Sequence, residues 1–280
     1  MEAVEWWSAR LERLRSQYGI DSFKFDAGES NWLPSSILLH EEIPTSVWPA
    51  IFTSSYVDAV SKFGPMIEVR VGRRTQKYPI FVRMLDKDSN WGFDNGLKTL
   101  VTTLLQMSMV GYPFVLPDMI GGNGYGSDDP LDQSNIPSRQ LYLRWLQANV
   151  FMPSMQFSFV PWIYDQEVIE HTKLMINLRN SYADLIVDLA KNAVETGEPI
   201  NRPIWWIDPQ DEAALAIEDE YLLGNEILVA PILDQDAISR NVYLPIGQWK
   251  DGNDGTVYQG PVMLNDYPAN LFTLPFFIQQ

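Results

Sequence analysis

The stretch FKFDAGE (residues 23–29) places two carboxylates, Asp26 and Glu29, directly behind a run that alternates apolar and polar residues. Alternation with a period of two is the pattern of a half-buried strand. A strand that ends on charge either runs into a surface turn, where Asp and Gly are common, or delivers a carboxylate to a site. At a site, carboxylates attack as nucleophiles, move protons as general acid or base, or bind cations. Other strand-like runs end in the same way. MIEVRVG (66–72) carries Arg70, PIFVRML (79–85) is followed by Asp86 and Asp88, and YPFVLPDMI (112–120) contains Asp118. In a (β/α)8 barrel the active site is built at the C-terminal ends of the strands, so carboxylates at 26, 86 and 118 fit that architecture.

The elements that must position them alternate in type. Residues 2–17 predict an amphipathic helix with Val4, Trp7, Leu11 and Leu14 on one face. Further helices are expected over 45–64, with Thr45 or Ser46 as N-cap and Gly64 as stop, from near Asp94 to Gly111, over 138–151, and as one long stretch over 165–196. Between them DSFKF, the runs above and MQFSFV (155–160) read as strands. Strands alternating with helices give a parallel sheet covered by helices. Beyond residue 200 the short runs RPIWWID, YLLGNEILVAPIL and RNVYLPIGQW lack helical spacing and predict an all-β part. The fold class expected is therefore α/β: part of a (β/α)8 barrel over 1–228, followed by a sandwich-like β-domain over 229–280.

Composition narrows the function. Among 280 residues, 46% are hydrophobic and 12% aromatic, enough for a well-packed core. A net charge of −16 with no basic stripe makes nucleic acid a poor partner. The absence of cysteine excludes a disulfide framework and thiolate zinc sites. His40 and His171 are too few and too far apart to suggest a metal centre. DKDSN (86–90) opens like a calcium loop, but Trp91 stands where Gly is required and Leu97 where Glu is required. GGNGYGSDD (121–129) has no Gly-Lys-Ser/Thr and reads as an ordered loop at a barrel mouth. No metal and no cofactor is expected. No apolar run approaches the ~20 residues of a membrane helix. Trp6, Trp7, Trp91, Trp145 and Trp162 offer aromatic faces to stack on sugars, although aromatics more often fill cores.

Taken together, FKFDAGE, GYPFVLPDMIGGNGYG, RWLQANVFMPSMQFS, RPIWWIDPQDE and YLLGNEILVAPIL…RNVYLPIGQW resemble glycoside hydrolase family 31, nearest to its myogenesis-regulating glycosidase branch. The resemblance implies a retaining glycosidase acting on a carbohydrate with terminal α-linked sugars, α-galactosides favoured by that branch and α-glucosides or α-xylosides open. It implies Asp26 as nucleophile, Glu29 as its hydrogen-bonding neighbour and Asp86 as acid/base, with Asp88 in reserve. It further implies sugar-site roles for Arg70, Trp91, Asp118 and Gln156. A retaining mechanism sets the two carboxyl groups ~5–5.5 Å apart, one ionised to attack and one protonated to assist departure. The chain departs from the family at W-x-G-D-N, replaced by RMLDKDSNWG, and at the Arg and His after F-x-P, replaced by Gln156 and Ser158.

The family's nucleophile lies on the fourth of eight strands, whereas here it stands at position 26. The expectation is thus a fragment covering about strands 4–8, and the rival reading is a catalytically silent carbohydrate-binding relic. By resemblance the compartment is the endoplasmic reticulum lumen or another secretory station, with any membrane anchor outside this chain; a homodimer is left open.

Overall fold

The computed structural model describes residues 2–38, 43–124 and 135–280. His40 and positions 125–129 of the glycine-rich loop lie outside the described residues. The chain divides into two compact units, Met1–Arg83 and Met84–Gln280.

The first unit runs α1 (Glu2–Tyr18), β1 (Lys24–Phe25), α2 (Ile51–Ser61), β2 (Glu68–Val69) and β3 (Phe81–Arg83). β1 pairs parallel with β2, Phe25 opposite Val69, and β2 pairs parallel with β3, Val69 opposite Val82. The α2 segment supplies the crossover that parallel strands require. The rung Phe25–Val69–Val82 is buried, and Phe25 packs on Trp7 at 5.8 Å and Phe63 at 5.4 Å between ring centroids. Side chains alternate across a sheet. The positions before and after that apolar rung, Lys24–Glu68 and Asp26–Arg70–Arg83, therefore belong to the opposite, charged face.

In the second unit α3 (Lys98–Met109), β4 (Val115–Leu116), α4 (Arg139–Asn149), α5 (Gln166–Ser181) and α6 (Ala183–Thr196) precede the β-part. There β5 (Asn201–Arg202), α7 (Glu212–Leu215), β6 (Tyr221–Leu223), β7 (Ile227–Val229), β8 (Ser239–Asp251), β9 (Val257–Pro268) and β10 (Phe276–Gln279) follow. The strands form one antiparallel six-stranded sheet in the order β5-β6-β7-β10-β8-β9. The boundary set from sequence, between 228 and 229, falls within β7. Arg144 of α4 locks the helical and β parts together: its buried guanidinium donates to the carbonyls of Thr273, Ala237 and Ala269.

Several elements differ from their sequence expectations. The helix expected from Thr45 begins at Ile51, because Thr45–Val47 closes a separate 3-10 turn and Trp48, preceding Pro49, is extended. The helix expected near Asp94 begins at Lys98: Asn95 is left-handed (φ 55°), and the carbonyl of Asp94 accepts from the Asn90 side chain. MQFSFV forms no strand; it makes one parallel bridge, Met119 to Gln156. The stretch 165–196 is two helices, broken where Tyr182 leaves helical geometry and packs on Phe151. Of the tryptophans singled out as sugar-stacking candidates, Trp145 is fully buried, Trp7 and Trp91 are half-buried, and Trp6 and Trp162 are exposed.

Candidate active site

Asp26 and Arg70 are the first residues past the ends of β1 and β2, and Arg83 closes β3. Parallel register brings the three side by side on the charged face. Arg70 Nε lies 3.2 Å from Asp26 Oδ1 and 2.5 Å from Glu29 Oε1. Arg83 reaches Asp26 Oδ1 at 3.5 Å through Nη2 and Glu68 Oε1 at 3.2 Å through Nε, and Lys24 Nζ adds a contact to Glu68 at 3.6 Å. The Arg83 side chain is only 2% exposed, whereas that of Asp26 is 60% exposed. Among the described residues, cations and carboxylates thus balance along the strand ends, and Asp26 is the carboxylate that this cluster presents to solvent.

The turn behind Asp26 is shaped by two successive left-handed residues, Ala27 (φ 61°) and Gly28 (φ 96°), which bring Glu29 back beside Arg70. Glycine is required at 28: a Cβ there would lie 2.7 Å from the Tyr56 ring and 2.8 Å from Val71. Helix α2 holds the turn from outside. Thr53 donates to the carbonyl of Gly28 (2.9 Å) and Tyr56 to that of Asp26 (2.6 Å), three residues apart on one helical face. Burial first, then the carboxylates of Asp26 and Glu29, pushes the Tyr56 phenol up to about 12, so its hydroxyl stays a donor.

In the second unit, the segment from Asp86 to Asn95 is tied by its own side chains. Asn95 donates to the carbonyl of Asp86 (2.6 Å) and the carboxylate of Asp88 (3.2 Å), and Ser89 donates to the carbonyl of Gly121 (2.7 Å). Asp118 is fully buried; its Oδ2 accepts from the Lys87 amide and the Asn123 side chain, both at 2.7 Å. Among its described partners Asp118 therefore braces the Asp86–Asp88 segment. Trp91 rests against the hydrophobic core and, with Asp88, Ser89, Asn90, Pro137 and Leu141, lines a cavity of ≈ 550 Å³. Gln156 pairs through its backbone, its carbonyl accepting from Ile120 (2.9 Å), while its side-chain Oε1 is buried without a described hydrogen-bond partner. Ser158 is exposed.

The structure thus gathers Asp26, Glu29 and Arg70 into one cluster in the first unit, and Asp86, Asp88, Trp91, Asp118 and Gln156 lie in the second. Sequence reasoning missed Arg83, Glu68, Tyr56 and Lys87. The first two carried a signal, a charge inside an otherwise apolar strand run. Among the described residues no group of His, Asp and Glu could hold a metal ion.

The first unit thus presents carboxylates at the ends of parallel strands, held by the guanidiniums of Arg70 and Arg83. Residues 1–189 match the glycosyl hydrolase family 31 TIM-barrel domain and residues 197–280 the family 31 C-terminal domain. The chain belongs to glycosyl hydrolase family 31. It is 42% identical to the myogenesis-regulating glycosidase of Mus musculus, over 99% of this chain and 38% of that protein. It is 30% identical to the SITS-binding protein of Tetronarce californica, over 100% of this chain and 39% of that protein. A GH31 sulfoquinovosidase from E. rectale in complex with an aza-sugar inhibitor shares the fold, with a TM-score of 0.84 at 24% identity, over 100% of this chain and 43% of that one. The chain spans less than half the length of each.

Proposed function

We propose that the protein is a retaining glycosidase that releases terminal α-linked sugars by double displacement, with α-galactosides preferred. Asp26 attacks the anomeric carbon, forming a C1–Oδ bond as the bond to the leaving oxygen breaks. Asp86 gives that oxygen its proton, then takes one from the water that cleaves the glycosyl-enzyme. Glu29 and Arg70 orient the nucleophile, Trp91 and Gln156 contact the sugar, and Asp118 braces the segment that carries Asp86. Asp86 is preferred to Asp88 because it directly follows the PIFVRML strand run and its spacing from Arg70 fits the family.

The observation that carries the reading is the exposed Asp26 carboxylate, anchored by two guanidiniums at the strand ends of a family 31 chain. Gln156 and Ser158, in place of the family's usual Arg and His, favour a sugar other than glucose. The parallel strands are assigned to about the fourth to eighth barrel positions, and the β-part to a sandwich-like domain.

The test is mass spectrometry after incubation with 5-fluoro-α-galactosyl and 5-fluoro-α-glucosyl fluorides. A covalent adduct on the Asp26 peptide, formed faster with the galactosyl reagent and abolished in Asp26→Asn, is expected. Faster labelling by the glucosyl reagent would overturn the sugar preference alone. A cooperatively folded chain that takes up neither label is a silent carbohydrate-binding module.

A further inference from the structure

We propose that Lys87 is the positioning residue of the second carboxylate: its buried ammonium pegs the Asp86–Asp88 segment to α3 and thereby sets where Asp86 stands. The inference rests on the role assigned to Asp86 above.

Lys87 separates the two candidate acids and is only 3% exposed. Its polar groups are held from two sides. Its amide donates to Asp118 Oδ2 at 2.7 Å, and its carbonyl accepts from the Asn123 amide at 2.9 Å and the Asn123 side chain at 3.0 Å. Its ammonium donates to Thr99 Oγ1 at 2.7 Å and Thr103 Oγ1 at 3.3 Å, one helical turn apart on α3. The loop after β4 also fits flush against this segment: a Cβ on Gly122 would lie 2.8 Å from the backbone of Asp88 and Ser89.

A position needing only bulk would carry Met or Leu, since burying an ammonium costs free energy unless its donors are met. Burial pushes Lys87 down to about 8, with Asp118 opposing the shift. What the ammonium brings in return is three donors on a long stem. They span from the loop to two threonines of a rigid helix, which a shorter or apolar side chain cannot do. The residues on either side of this peg are the carboxylates that need a fixed place.

Two variants separate the peg from general stability. Lys87→Met keeps most of the length and removes the charge, and the Thr99 hydroxyl keeps its own bond to the carbonyl of Gly96 (2.7 Å). Thr99→Val with Thr103→Val keeps the lysine and removes its side-chain acceptors. In both, hydrogen exchange of the peptide spanning 85–96 should quicken roughly 10-fold while β8 and β9 stay protected, as expected of local opening. The kcat/KM of α-galactosides with poor leaving groups should fall about 10- to 100-fold, a partial loss of the roughly 100- to 10,000-fold that general-acid assistance contributes. The kcat/KM of dinitrophenyl galactosides, which reports the glycosylation step and whose leaving group needs no proton, should stay within about 2-fold by the same reasoning.

Unchanged exchange in both variants would overturn the proposal, and so would an equal loss of kcat/KM on good and poor leaving groups. If the wild-type chain turns over no glycoside, the function proposed above falls, and the exchange measurement alone decides whether Lys87 is the peg.

Discussion

Arg83 Nη2 lies 3.5 Å from Asp26 Oδ1 while Nε of the same guanidinium lies 3.2 Å from Glu68 Oε1. One buried cation therefore couples a carboxylate inside the sheet to the exposed one at its end. Arg83→Met would leave Glu68 with Lys24 at 3.6 Å as its remaining described cation. Breaking a buried pair from one side costs about 3–5 kcal/mol, whereas neutralising both partners costs far less. The urea midpoint should drop sharply in Arg83→Met and recover in large part when Glu68→Gln is added. Equal losses in the single and double variants would show that the pair does not act as a unit.

Gly28 meets Tyr56 in the turn behind the nucleophile. In Gly28→Ala the left-handed backbone and the 2.7 Å approach to the Tyr56 ring act together. A loss of about 1–3 kcal/mol is expected, the usual cost of a residue forced into that region. Because the ring edge is one obstacle and Val71 at 2.8 Å the other, Tyr56→Ala should relieve part of the clash. The double-mutant cycle over these two positions should therefore show positive coupling, read from thermal or urea unfolding. Strict additivity would mean that backbone strain and the Val71 contact set the cost without the ring.

This cluster also shows how much was legible in the sequence. Asp26, Glu29 and Arg70 were visible because motif and strand-end position coincide within short stretches. The parallel sheet and the all-β part were visible from hydrophobic period and turn residues. Tyr56 was not: its hydroxyl reaches Asp26 across 30 residues, and helix α2 reads as an ordinary amphipathic helix whichever residue provides that bond. Lys87 was hidden for a similar reason, since its acceptors are threonines of α3. MQFSFV read as a strand because its alternation is real, but a single bridge at Gln156 is all the pairing it makes.

His171, set aside as a metal ligand, gives the chain an acid-sensitive core contact. Its Nε2 lies 3.0 Å from Gln147 Nε2, whose amide also donates to the carbonyl of Leu271 at 2.8 Å. The imidazole must therefore accept there, in its neutral form. Burial first, then the charge of Arg144, pushes it down to about 4. With a lowered folded-state pKa, the unfolded chain binds the proton first as the solution is acidified. The stabilisation is complete above about 6.5 and is lost as pH falls towards 4, on the order of 3 kcal/mol in all. Glu220 works in the opposite direction, its buried carboxyl being pushed up to about 8. The comparison with His171→Gln isolates the histidine: its urea midpoint should fall less than wild type between pH 7 and pH 4.5. Parallel curves would assign the acid sensitivity to other groups.

Asp118 offers the last test, because its two described bonds distinguish a brace from a sugar ligand. Its Oδ2 accepts from the Lys87 amide and the Asn123 side chain, and φ is 63° at a residue with no exposure at all. Asp118→Ala would leave the buried Lys87 amide without its described acceptor, at about 1–3 kcal/mol, and take one of two acceptors from the part-buried Asn123 side chain. Asp118→Asn keeps the shape and one acceptor oxygen, and should cost less. If Asp118 acts as a brace, both variants should speed hydrogen exchange over 85–96 in proportion to their loss of stability, and the Asp26 peptide should still label with a 5-fluoroglycosyl fluoride. A contact to the sugar predicts the reverse: labelling lost in Asp118→Asn, with the exchange of 85–96 unchanged. Because exchange and labelling report on different units of the chain, the two outcomes cannot be confused.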